Sequence, residues 1–92
     1  MIQFLVHSKK DTVGVAVVDI AAGSLAKGVT LDDRTPLEIS VRMDIPLGHK
    51  LALKDLAVGD TAVKYGQDIG RVAAKIKTGE HVHVHNLKTK RW

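Results

Sequence analysis

The chain has 92 residues, a formal net charge of +4 and no cysteine. That length fits a single domain spanning 1–92 and excludes a two-domain enzyme. The missing cysteines exclude disulfide staples and fit a reducing compartment.

Aromatic residues make up only 3% of a chain that is 45% hydrophobic, so Val, Leu, Ile and Ala must fill the core. A domain of this size buries roughly 60–65% of its unfolded surface, and association with another chain is a reasonable source of more. The basic balance favours an anionic partner, either a nucleic acid or a small anionic substrate. The start, Met1-Ile2-Gln3-Phe4-Leu5-Val6-His7, lacks the leading positive charge of a signal peptide. No apolar run approaches the roughly 20 residues needed to span a bilayer. The expectation is a cytoplasmic protein with no membrane partner.

In chain order, period-two alternation dominates and helical periodicity is weak. Ile2–Val6 has strand length, and Val13–Val18 follows with β-branched residues at alternate positions. Ser24 to Pro36 reads as a connection, with a short strand around Val29-Thr30-Leu31. Leu37–Met43 alternates cleanly, so one face is buried and one is wet. Ile45-Pro46-Leu47-Gly48 is a turn, and His49–Leu53 is the next strand. Lys54–Ala57 reads as a single helical turn. Thr61–Tyr65, Arg71–Ile76 and Glu80–Asn86 complete the strands, and a basic tail runs to Trp92. No internal repeat is visible. Short strands divided by Gly and Pro predict an all-β fold, a compact barrel or folded-over sheet with at most one or two helical turns.

His81-Val82-His83-Val84-His85 is the segment that carries chemistry. On a strand the three histidines share one face, with successive Cα atoms roughly 6.5–7 Å apart. Two of them can reach one metal ion, with Asn86 or another strand completing the shell. Equally, one can act as a general base while another orients it, and a plain solvated face fits the same pattern. His7, at the end of an ordinary strand, reads as structural. Gly48-His49-Lys50 places two polar heads at a strand edge, where the lysine can hold a carboxylate or sulfonate. Tyr65 beside Gly66 is a proton-donor candidate or a packing residue. No Gly-rich loop precedes a helix, so a phosphate loop is excluded. Scattered Lys and Arg with so few aromatics argue against a nucleic-acid partner.

Taken together, Ile45-Pro-Leu-Gly-His-Lys-Leu-Ala-Leu-Lys-Asp-Leu56, Gly59-Asp60, Lys64-Tyr-Gly66, Asp68-Ile-Gly70 and Gly79-Glu-His-Val-His-Val-His-Asn86 resemble the small SAF domain of the altronate and galactarate dehydratases. The opening Ile2–His7 with Asp11–Val18, and the closing His85–Trp92, are similar to the branch of that family in which the domain is a separate small subunit and sulfite leaves from sulfolactate. The resemblance implies a β-clip fold and an α,β-elimination. A base removes the proton beside a carboxylate, and a group departs from the neighbouring carbon. It also implies a divalent metal, usually iron as Fe(2+), held mainly by a large catalytic subunit that this chain lacks. His81, His83 and Tyr65 match as catalytic positions, His49, Lys50 and Asn86 as substrate-binding positions, and His81, His83 and His85 as metal ligands. The preferred reading is the small subunit of a carbon–sulfur lyase, inactive alone. The alternatives are an altronate-type dehydratase subunit and a non-catalytic binding or scaffolding module that self-associates when isolated as a homo-oligomer.

Overall fold

Alternation of apolar and polar residues shapes the backbone in the computed structural model, which describes residues 1–8, 10–64, 67–82 and 87–88, with backbone alone for 63–64, 67–69 and 87–88. The strands are β1 (Phe4–Val6), β2 (Val13–Ala16), β3 (Leu25–Thr30), β4 (Pro36–Ser40), β5 (Lys50–Ala52), β6 (Thr61–Lys64), β7 (Gln67–Val72), β8 (His81–Val82) and β9 (Leu87–Lys88). Among the described residues they form a six-stranded sheet, in the order β4-β3-β1-β2-β5-β8, and a three-stranded sheet, β6-β7-β9. All of these pairings are antiparallel except β1 with β3. The all-β expectation holds.

Two local expectations need correction. The stretch after Ser24 is a full strand, β3, and not mainly a connection. Its alternation is hidden because Gly28 occupies a core position opposite Phe4. A Cβ at Gly28 would run into the Phe4 ring, so the chain's one phenylalanine lies flat against a strand that must have no side chain there. Lys54–Ala57 is no helical turn, and no helix occurs among the described residues. The Leu56 amide donates to the Ile76 carbonyl at 2.7 Å and the Ile76 amide returns the bond at 2.9 Å, which leaves Leu56 no helical partner.

That reciprocal bridge has a twin between Ile20 and Ile45, with both bonds at 2.9 Å. All four bridging residues are buried. Each is followed by a turn closed from its fourth amide to its first carbonyl: Ser24 to Ala21, His49 to Pro46, Asp60 to Ala57 and Glu80 to Lys77. The third position is Gly23, Gly48, Gly59 or Gly79, with φ between 83° and 93°. The second position has negative φ each time, so these are type II turns, which favour glycine at that place. The chain thus repeats Asp19-Ile-Ala-Ala-Gly23, Asp44-Ile-Pro-Leu-Gly48, Asp55-Leu-Ala-Val-Gly59 and Lys75-Ile-Lys-Thr-Gly79. The repeat escapes a reading of the sequence because only an aliphatic residue and a glycine recur in every unit.

The units staple the sheet ends together. Asp44 accepts a bond from the Ala22 amide at 2.9 Å, and Asp19 accepts one from the Leu47 amide at 2.8 Å. One face of the six-stranded sheet closes a core around Phe4, Val6, Ala16, Ile20, Ile45 and Leu51. The opposite face contributes Val13, Ala52 and Val82 to a second core with Leu56, Val72 and Ile76.

Candidate functional site

The turns explain why one histidine stands apart. In turn 57–60, Asp60 curls back to accept the Ala57 amide at 2.8 Å. In turn 77–80, Glu80 accepts the Lys77 amide at 2.6 Å, and in turn 21–24 the Ser24 hydroxyl donates to the Ala21 carbonyl at 2.6 Å. Turn 46–49 begins with Pro46, which has no amide hydrogen to satisfy. Its fourth residue is His49, and the imidazole turns outward from the loop. His49 Nδ1 lies 2.8 Å from His81 Nε2, with ring centroids 5.0 Å apart and planes tilted by 37°.

Sheet register delivers the partner. β5 and β8 pair antiparallel, with Leu51 opposite His81 and Lys50 opposite Val82. Opposed residues point to the same face of a sheet, so His81 follows Leu51, and His49, two residues before Leu51, joins them. The main chain of His49 is fixed as well, since its carbonyl accepts the Ala16 amide at 2.8 Å. Both rings are half-buried. One ring nitrogen donates and the other accepts, so the contact requires at least one neutral imidazole. A half-buried pair that shares a proton can take one from a substrate and keep the acceptor oriented.

Lys50 does not join this pair. It lies opposite Val15 and Val82, on the other face of β5 from His49 and His81. The side chains of His49 and Lys50 therefore stand on opposite faces of the sheet. Tyr65, His83, His85 and Asn86 lie outside the described residues.

The described residues do not fit a metal centre. Two imidazole nitrogens bound to one cation at about 2.0–2.1 Å in tetrahedral geometry stand roughly 3.3 Å apart. The 2.8 Å separation of His49 and His81 is that of a hydrogen bond instead. No group of three His, Cys, Asp or Glu side chains suited to a cation occurs among the described residues.

The altronate/galactarate dehydratase SAF domain family matches residues 2–90. The chain belongs to this family. The (2R)-sulfolactate sulfo-lyase subunit alpha of Chromohalobacter salexigens is 52% identical, over 99% of this chain and 98% of its own length. The Paracoccus pantotrophus protein of the same name is 48% identical, over 70% of this chain and 96% of its own length. The Escherichia coli altronate dehydratase is 40% identical over 95% of this chain, which spans only 16% of that enzyme. The SAF domain is therefore a whole subunit in some relatives and a small part of a much longer chain in others. No helix among the described residues is long and apolar enough to cross a membrane.

The sequence reading missed two sets of residues in this SAF domain. Pro46 releases His49 from turn closure, and Asp19 and Asp44 pin the bridged turn pair that carries it. The signal was present as Asp-Ile-x-x-Gly, repeated at 19–23 and 44–48.

Proposed function

We propose that the chain is the small subunit of a lyase that cleaves (2R)-sulfolactate to pyruvate and sulfite, and that it acts with a larger catalytic chain. The observation that carries this reading is the end-to-end 52% identity to a sulfolactate sulfo-lyase subunit alpha. The chemistry balances without a co-reactant. A base removes the proton on the carbon bearing the hydroxyl and carboxylate, the electron pair forms the carbon–carbon double bond, and sulfite departs from the neighbouring carbon. The resulting enol takes up a proton on carbon and becomes pyruvate.

In this reading the His49–His81 pair faces the pocket shared with the larger chain. One imidazole receives or returns a proton, and the other holds it in one tautomer. The net charge of +4 suits a substrate that carries both a carboxylate and a sulfonate. A divalent cation, Fe(2+) by preference, would stabilise the charge that builds on the carboxylate. The larger chain would hold it, because His49 and His81 are committed to each other. The cytoplasm is the proposed compartment.

Co-expression with the larger chain tests the reading. Purified complex should release sulfite from (2R)-sulfolactate, whereas formation of a 2-keto-3-deoxy acid from altronate in its place would move the chain to the dehydratase branch. His49→Gln and His81→Gln should each lower kcat by roughly 10²–10⁴-fold. Lys50→Gln should leave kcat within about threefold, since its side chain departs from the opposite face of the strand. Unchanged kinetics in both histidine variants would return the pair to a structural role.

A further inference from the structure

The six-stranded sheet is covered unevenly. Over β2, β5 and β8 its second face supplies Val13, Ala52 and Val82 to the second core. Over β1 and β3 the same face carries Leu5, aligned in register with Val15 on one side and Val29 on the other. These three are only half-buried, and the strip continues into Val17 and Leu31, which are 37% and 51% exposed. Leu5, Val15, Val17 and Leu31, with His7 and Asp11 at one end, line a shallow hollow of about 110 Å³ on this face. That volume accommodates one aliphatic side chain, the kind of anchor on which protein interfaces concentrate their binding energy.

We propose that this strip is where the larger catalytic chain docks, with an apolar side chain seated in the hollow. The inference rests on the two-chain reading above and adds the face. Two observations select that occupant. The same domain forms 16% and 17% of the length of the matched altronate dehydratases, so those enzymes keep a much longer stretch of chain tethered to it. A second copy of this chain is disfavoured, because each copy carries a net charge of +4 and Lys50 borders the strip directly beside Val15. The strip shares the Lys50 face of the sheet, opposite the histidine pair, so it anchors the larger chain and does not itself form the shared pocket.

The test uses the co-expressed complex with substitutions at exposed positions that leave the fold intact. Leu31→Glu and Val17→Glu should each weaken capture of the larger chain at least tenfold. Leu47→Glu, at a turn tip that is 60% exposed and outside the hollow, should capture it as wild type does. Circular dichroism and Tm of each isolated variant should match wild type. Wild-type capture by Leu31→Glu and Val17→Glu, or loss of capture in Leu47→Glu alone, would overturn the assignment. A dimer of the isolated chain that Leu31→Glu dissociates would overturn it too, in favour of a self-interface. Capture and catalysis are read separately. A wild-type complex that assembles through the strip but releases no sulfite refutes the proposed reaction and keeps the docking face.

Discussion

Turns 57–60 and 46–49 share a type II backbone and end on side chains that behave in opposite ways. Asp60 folds back onto the Ala57 amide and completes its own loop. His49 follows a proline that offers no such amide, and its ring meets His81, 32 residues away. The first arrangement stabilises the turn locally. The second leaves closure to proline, glycine and the backbone bond, and frees a titratable group for another element. The lesson is that a repeated scaffold can present chemistry at one of its copies by changing only the residue that made the fourth side chain necessary there.

The largest expected effect breaks the turns themselves. Gly79 has a φ of 85°, and a Cβ there would collide with the Ser40 carbonyl oxygen. Gly48 has a φ of 83° with open space around it. Gly79→Ala should therefore cost about 3 kcal/mol or more, the left-handed penalty plus backbone displacement, and leave a small domain partly unfolded. Gly48→Ala should cost only about 1–2 kcal/mol. Urea denaturation of the two variants measures the gap, and equal losses would show that the Ser40 contact does not matter.

A smaller effect on stability, with a large one on activity, sharpens the comparison. Pro46→Ala with His49→Asp rebuilds the Ala57–Asp60 arrangement at 46–49, complete with an amide and a carboxylate to receive it. The double variant should stay within about 1 kcal/mol of wild type, since one hydrogen bond is regained as proline rigidity is lost. Its complex should nevertheless fall to the activity of His49→Gln. Full activity in this variant would show that the turn, and not the imidazole, is what the enzyme needs.

Much of this was legible in the sequence. The strand at Leu37–Ser40 announces itself by alternation, and Gly48 and Gly79 mark their turns. Only the end of β3, around Val29-Thr30, was legible, because Gly28 replaces an apolar residue for the sake of Phe4, a constraint set by a strand more than 20 residues earlier. His49 and His81 were both singled out, but their pairing depends on a β5–β8 register that spacing cannot supply. The same alternation that groups His81, His83 and His85 in the sequence also puts His49 and Lys50 on opposite faces of their strand.

The smallest effect concerns Asp55, which plays in the second bridged pair the part that Asp19 and Asp44 share in the first. The Thr78 amide and hydroxyl both donate to its Oδ1, at 2.7 and 2.9 Å. These bonds, with weaker help from the nearby Arg42 and Lys77 charges, hold its carboxyl below the ordinary carboxylate range. The unfolded chain therefore binds a proton at higher pH than the folded one, and the stabilisation is complete above the ordinary carboxylate value of about 4. It is lost as pH falls through the lower folded-state value. Asp55→Asn keeps an oxygen for Thr78 and loses the charge, so the variant should differ slightly from wild type at pH 6 and approach it as the pH falls below the ordinary carboxylate range. Lys75, at the matching place in the partner unit, has no acceptor to offer, so Asp55 has no reciprocal acidic partner of the kind Asp19 and Asp44 provide for each other. Acid titration of both proteins by circular dichroism checks this, and a constant offset across the whole pH range would show that Asp55 acts through shape and not through charge.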